Sequence, residues 1–83
     1  MKSFKHSLEM GNKRIEIQFD YIHTLTEGKY LLTVPHGDGK IMFNMQLDEG
    51  GTWRLMDKYK VIPSDWHQLA PLLSDIILGQ NNT

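Results

Sequence analysis

The sequence of 83 residues contains no cysteine and only three prolines. Without cysteine the chain has neither disulfide bonds nor thiolate metal sites, and this absence is compatible with a cytoplasmic location. No window approaches the roughly 18 consecutive apolar residues of a membrane-spanning helix. The N-terminal segment also lacks the apolar core of a signal peptide. We therefore expect a cytoplasmic protein that does not contact a membrane.

Neither sign of charge is in excess. Nine Lys and Arg against ten Asp and Glu give a formal net charge of −1, which argues against a dedicated duplex-DNA-binding protein. A chain this short forms one domain and buries only about 60–65% of its unfolded surface. Because neither disulfides nor zinc add stability, tight packing or self-association must compensate.

Alternation of apolar and polar residues predicts five β-strands, because a strand buried on one face has a period of two. The predicted strands cover residues 3–10, 14–21, 30–34, 41–47 and 52–56. Short turn-forming segments separate them, and none is long enough for a helical crossover. This arrangement predicts an antiparallel meander with the strand order 1-2-3-4-5. Pro35 is expected to end the pairing of the third strand.

The segment 63–79 predicts the one helix. Its inward arc contains Trp66, Leu69, Ala70, Leu72, Leu73, Ile76 and Ile77. Ser64 is the expected N-cap and Gly79 the expected end. Pro71 interrupts the helix, and we favour one kinked helix with Pro71 facing solvent. The alternative is a short turn followed by a helix that begins at Pro71.

These elements predict an α+β fold, a five-stranded antiparallel β-meander with one C-terminal α-helix packed across one face. A single domain is expected over residues 1–79, and residues 80–83 are expected to fray. The outer face of the sheet, opposite the helix, is less polar than a solvated face should be. Its apolar residues are Ile22, Leu31, Met42 and Met56.

These four residues are the candidate interaction face, and two interpretations of them stay open. If they lie apart, they are ordinary exposed apolar residues. If they adjoin, they form a methionine-rich patch that fits a protein partner or a second copy of the chain.

No combination of side chains indicates catalysis. His36 and Asp38 share a turn, but a zinc site needs three or four ligands. His6 falls on the inward side of the first strand and is expected to be a hydrogen-bonded residue at the edge of the core. The glycine-rich turns join strands, so they lack the helix N-terminus of a phosphate site. We predict a protein that is not an enzyme and binds no cofactor and no metal.

Three segments resemble, in outline, the purine-rich-element-binding (PUR) repeat. They are Gly-Asn-Lys-Arg before the second strand, Gly-Lys-Tyr-Leu-Leu-Thr-Val in the third, and Asp-Trp-His-Gln-Leu-Ala-Pro-Leu-Leu in the helix. The resemblance implies a curved sheet that binds single-stranded nucleic acid. The fifth strand and the mixed charges of the outer face depart from the family pattern.

Two functions therefore stay open. The favoured one is a small non-enzymatic protein-interaction module, with a homodimer through the exposed sheet face as one form. The alternative is a PUR-like single-stranded nucleic-acid-binding domain. Its candidate basic residues are Lys5, Lys13, Arg14 and Arg54.

Overall fold

The computed structural model describes residues 3–23 and 28–81. Within them the elements are β1 (Phe4–Met10), β2 (Lys13–His23), β3 (Gly28–His36), β4 (Gly39–Leu47), β5 (Trp53–Met56) and α1 (Ser64–Asn81). The strands form one antiparallel sheet in the order β1-β2-β3-β4-β5. The predicted α+β meander with a C-terminal helix is confirmed. Across these residues no helix has both the length and the apolar character needed to span a membrane.

Two of the hairpins turn on two residues whose first member is glycine. Gly11 and Gly37 have φ angles of 64° and 57°, a region that L side chains avoid. The residues that follow them do not have positive φ, so both turns have type II′ geometry, which suits the right-handed twist of the paired strands. These turns set the register, with Met10 opposite Lys13 in the first hairpin.

Pro35 does not end β3 in the way the sequence predicted. The pairing of β3 with β4 continues through Pro35 to His36, whereas the pairing with β2 stops at Thr33. In a two-residue hairpin the residues next to the turn exchange hydrogen bonds, so the nitrogen of Pro35 points away from β4. Its missing N–H therefore ends only the β2–β3 ladder.

The inner face of the sheet and one side of α1 form a single core. Its buried members are Ile17, Phe19, Tyr30, Leu32, Val34, Phe43, Met45, Trp53, Trp66, Leu73 and Ile77. The Tyr30 and Trp53 rings meet edge to face at 5.2 Å, and the Phe43 and Trp66 rings lie 6.0 Å apart. These aromatic contacts join strands to each other and the sheet to the helix.

Two residues that the alternation pattern placed inward are exposed. Leu47 lies at the end of β4, and His6 lies on β1, the strand farthest from β5. The helix makes its main contacts with the sheet at β5. The inward positions at the β1 edge are therefore incompletely covered, and the prediction of His6 as part of the core edge was wrong.

The helix is one continuous element that contains Pro71, and Pro71 is exposed, as the favoured prediction required. The prediction that Gly79 ends the helix was wrong, because α1 continues to Asn81. Gly79 does not adopt positive φ, and the preceding Ile77 anchors the last turns in the core. Gln80 and Asn81 are thus helical, whereas the rest of the predicted frayed tail lies outside the described residues.

The buried side of α1 is turned toward Ser74 relative to the predicted arc. Leu72 is 43% exposed, although it was predicted to face inward, whereas Ser74 is only 2% exposed. The reason is a hydrogen bond of 2.9 Å that the Trp53 amide donates to Ser74 Oγ. Because β5 is an edge strand, this hydroxyl satisfies an amide that no neighbouring strand reaches.

Candidate functional site

The strand register determines which side chains of the outer face are neighbours. Leu31, Asn44 and Met56 form one row across β3, β4 and β5. Met42 lies two residues from Asn44 along β4, which makes it a diagonal neighbour of both Leu31 and Met56. Ile22 pairs with Lys29 in the next row. That row and the row of Met42 lie on opposite sides of the row that contains Asn44.

Exposure separates the four candidate residues further. Met42 is 60% exposed and Met56 is 47% exposed, and both line the same groove. Leu31 is half-buried, and Ile22 is exposed but outside that groove. The structure therefore brings the two methionines together at the β4–β5 end of the sheet and leaves Ile22 apart from them.

Two further apolar residues join the methionines from the segment that follows β5. Tyr59 and Val61 are each 76% exposed. They line the same groove of about 350 Å³ as Met42 and Met56. We call these four residues the β4–β5 patch. Exposed apolar residues that share one concave surface are typical of interaction sites, unlike scattered ones.

The turn that carries Tyr59 and Val61 is held by Asp57. The Val61 amide donates to Asp57 Oδ1 at 2.9 Å, and the Ile62 amide donates to Oδ2 at 3.2 Å. The amide of Lys60, whose φ is 56°, donates to the Asp57 carbonyl at 3.2 Å. These bonds fix the path of the turn and so present the two exposed side chains in a set orientation.

The helix secures the same carboxylate. His67 Nε2 lies 2.7 Å from Asp57 Oδ2. Partial burial of Asp57 disfavours the charged form, but hydrogen bonds from His67, Val61 and Ile62 outweigh it, so the pKa of Asp57 is lowered. Asp57 is therefore a carboxylate at neutral pH, with its oxygens directed into the turn and toward α1.

A second aspartate organises the β4–β5 hairpin. Asp48 Oδ1 accepts hydrogen bonds of 2.9 Å from the amides of Gly50 and Thr52, and Asp48 Oδ2 accepts one from Arg54 Nε. The Arg54 bond, followed by that of Thr52, lowers the pKa of Asp48. The positive charge of Arg54 is thus matched within its own hairpin.

The charges left beside the β4–β5 patch are positive. Lys58 Nζ lies 5.6 Å from the centre of the Tyr59 ring, and Lys60 is exposed on the same turn. Among the described residues neither lysine forms an ion pair. Lys58 lines the apolar groove, as does Lys29 of β3, and Lys60 adds a positive charge on the turn beside it.

Only two of the four basic residues proposed for nucleic-acid binding line a common concavity. Lys5 and Arg14 line an outer-face concavity of about 520 Å³ together with Lys40, but Lys5 lies 3.6 Å from the carboxylate of Glu16. Arg54 lies at the other end of the sheet. On the described strands, the outward positions carry no aromatic side chain, so the sheet offers no platform for stacking bases.

The histidines do not assemble a metal site in the described part of the chain. Residues 3–23 and 28–81 contain no group of three His, Asp or Glu side chains arranged to hold a metal ion. His36 and Asp38 are exposed at the β3–β4 turn, and His67 is the partner of Asp57.

Comparison with known proteins finds no matching family model, no matching curated protein and no matching solved structure. The similarity to the PUR repeat thus consists of the outline of strands and helix. An analogy of fold alone does not transfer function.

Sequence reasoning missed Tyr59 and Val61, half of the β4–β5 patch. The segment 57–63 has no apolar period that assigns its side chains to a face. The available signal was local. Asp57 precedes the residues whose amides donate hydrogen bonds to its carboxylate, and this pattern is typical of turns closed by aspartate. That signal predicts a turn but not which surface the turn adjoins.

Proposed function

We propose that this protein is a small non-enzymatic interaction module that binds a protein partner at the β4–β5 patch. The observation that supports this most strongly is the convergence of four exposed apolar side chains on one groove. Methionine and tyrosine are enriched in protein interfaces, and methionine adapts its shape to a partner surface. The proposed compartment is the cytoplasm, which the lack of cysteine fits.

The groove is also preorganised for binding. The bonds of Asp57 hold the backbone of the turn that carries Tyr59 and Val61, so less backbone conformational entropy is lost when a partner binds. The partner that best complements the groove is a segment with apolar side chains flanked by carboxylates, because Lys58 lines the groove and Lys60 is exposed on the same turn. A segment of this chemistry would bury the apolar groups and pair with both cations.

Two matched variants test the patch. Met56 and Leu47 are each 47% exposed, but only Met56 lines the groove. The probe is a displayed library of short random peptides, selected on the unaltered protein and then measured as labelled peptides in solution. We expect the selected peptides to combine apolar and acidic residues. We expect Met56→Lys and Met42→Lys to weaken the Kd at least about tenfold, the scale of an interface hot spot.

Leu47→Lys is the control, and it should leave the affinity within about twofold. All three substitutions fall on exposed side chains, so the unfolding midpoints should stay close to that of the unaltered protein. Selection of no peptide, or of peptides that bind the Met56→Lys and Leu47→Lys variants equally well, would contradict the proposal.

The nucleic-acid alternative has weaker support. Its one favourable feature is the concavity lined by Lys5, Arg14 and Lys40, and the stacking surface that single strands need does not adjoin it. Titration with a labelled single-stranded oligonucleotide at low salt is the direct test. Tight binding that weakens steeply as salt rises would favour this alternative over the protein partner.

A further inference from the structure

The two edges of the sheet differ in their protection. At β5 the helix lies close to the edge, and Ser74 Oγ accepts the hydrogen bond of the Trp53 amide. At the opposite edge β1 pairs with β2 over residues 4–10 without a bulge. No other strand within residues 3–23 and 28–81 pairs with β1. An unbulged edge strand of this length is a template for another strand.

The turn of the first hairpin identifies the backbone groups that β1 leaves open. Gly11 and Asn12 form a two-residue turn, so Met10 and Lys13 exchange hydrogen bonds. Because such pairs alternate along an antiparallel ladder, the even-numbered residues of β1 bond to β2. The odd-numbered residues Lys5, Ser7 and Glu9 therefore direct their N–H and C=O groups away from the sheet.

From this edge we propose that two copies of the chain pair antiparallel through β1, with Ser7 of one copy opposite Ser7 of the other. The two five-stranded sheets would then form one continuous sheet about a two-fold axis. Each outward N–H and C=O of Lys5, Ser7 and Glu9 gains a partner in this arrangement.

The charged side chains of β1 favour this register over registers shifted by two or four residues. With Ser7 opposite Ser7, Lys5 of each copy lies directly opposite Glu9 of the other while it keeps Glu16 of its own chain at 3.6 Å, which gives two cross-strand pairs of opposite charge. A shift of two residues removes both pairs. A shift of four residues places Lys5 opposite Lys5, or Glu9 opposite Glu9, and these like charges repel. The strand is therefore complementary to itself in one register.

The inner side of the junction supports the same register. Phe4, Leu8 and Met10 are only half-buried in the single chain, because α1 makes its main contacts at the other edge. Pairing places Phe4 opposite Met10, and His6 opposite Leu8, across the junction. Sulfur–aromatic and apolar contacts would then bury surface that the helix leaves partly open.

The pairing has a consequence for binding that rests on the proposed function. A two-fold axis perpendicular to the sheet places both β4–β5 patches on the same face of the continuous sheet, and the twist of the sheet rotates one patch relative to the other. The two β4 strands are then separated by seven strand spacings, or about 34 Å at about 4.8 Å each. A partner that contains two binding segments could engage both copies at once.

Charge reversal tests the register. We expect the unaltered protein to sediment as a concentration-dependent dimer in analytical ultracentrifugation. Lys5→Glu and Glu9→Lys each place like charges opposite one another at two points, so each alone should raise the dimer Kd at least about tenfold. An equimolar mixture of the two variants should form a heterodimer, because every facing pair then joins opposite charges. A change that only damaged the fold would not be rescued by mixing.

Ser7→Pro tests the backbone pairing separately. The amide of Ser7 points away from β2, so proline removes an outward donor and leaves the β1–β2 ladder in place. This variant should be monomeric with the circular dichroism spectrum of the unaltered protein. If proline unfolds the chain, the heterodimer experiment still decides the proposal. A strictly monomeric unaltered protein, failure of the mixed variants to associate, or a dimer that Met42→Lys dissolves would overturn it.

The peptide experiment is distinguishable from this one. An unaltered protein that dimerises through β1 but selects no peptide would contradict the proposed function alone. A monomer that binds peptide through the patch would contradict the β1 pairing alone.

Discussion

Leu73→Ala is expected to lower the free energy of unfolding by about 3–5 kcal/mol. Leu73 is 0% exposed and fills the centre of the contact between helix and sheet, so truncation leaves a cavity as well as removing apolar burial. A chain of 83 residues has a total stability on the order of 4–12 kcal/mol, at about 0.05–0.15 kcal/mol per residue. This one substitution should therefore remove a large share of the stability of the domain.

The neighbouring leucine is the matched control. Leu72→Ala makes the same change at a side chain that is 43% exposed, and it should cost less than about 1 kcal/mol. Urea unfolding followed by tryptophan fluorescence measures both variants, because Trp53 and Trp66 are buried in the core. Equal losses at the two positions would mean that α1 does not face the sheet as described.

Ser74→Ala is expected to lower the free energy of unfolding by about 1–3 kcal/mol, although it removes only one oxygen atom. The buried Trp53 amide donates to that oxygen at 2.9 Å. Because β5 is an edge strand, no adjoining strand replaces the lost acceptor. Thermal and urea unfolding give the cost, and hydrogen exchange at the Trp53 amide should become faster.

The control is the same substitution at an exposed serine, Ser7→Ala. It should change stability by less than about 0.5 kcal/mol. If Ser74→Ala proves as mild as Ser7→Ala, the hydroxyl does not anchor the helix to β5.

The strands and their order could be predicted because sheet patterning is local. A period of two fixes the face of each residue, and turns such as Gly11-Asn12 fix the pairing of neighbours. The orientation of the helix could not be predicted so closely. Its arc of apolar residues was broad enough to include Leu72, and the contact that turns it, Ser74 with Trp53, joins residues far apart in sequence.

The strand residues of the candidate site could be predicted from the sequence, but those of the following turn could not. The alternation of β4 and β5 placed Met42 and Met56 on the outer face, and the register shows them to be diagonal neighbours. Tyr59 and Val61 depend on a turn closed by Asp57, which His67 supports from the helix. A non-local bond of this kind leaves no period in the sequence.

The central claim is that the two faces of one sheet have different roles, a buried core on the helix side and the proposed partner-binding groove outside. Its most direct test is oxidation by dilute hydrogen peroxide, followed for each methionine by mass spectrometry. Met42 and Met56 should oxidise rapidly, whereas Met45, three residues from Met42 on β4 but 0% exposed, should react only as fast as the protein unfolds. A selected peptide should protect Met42 and Met56. Oxidation of Met45 as fast as that of Met42 in the folded protein would contradict the account.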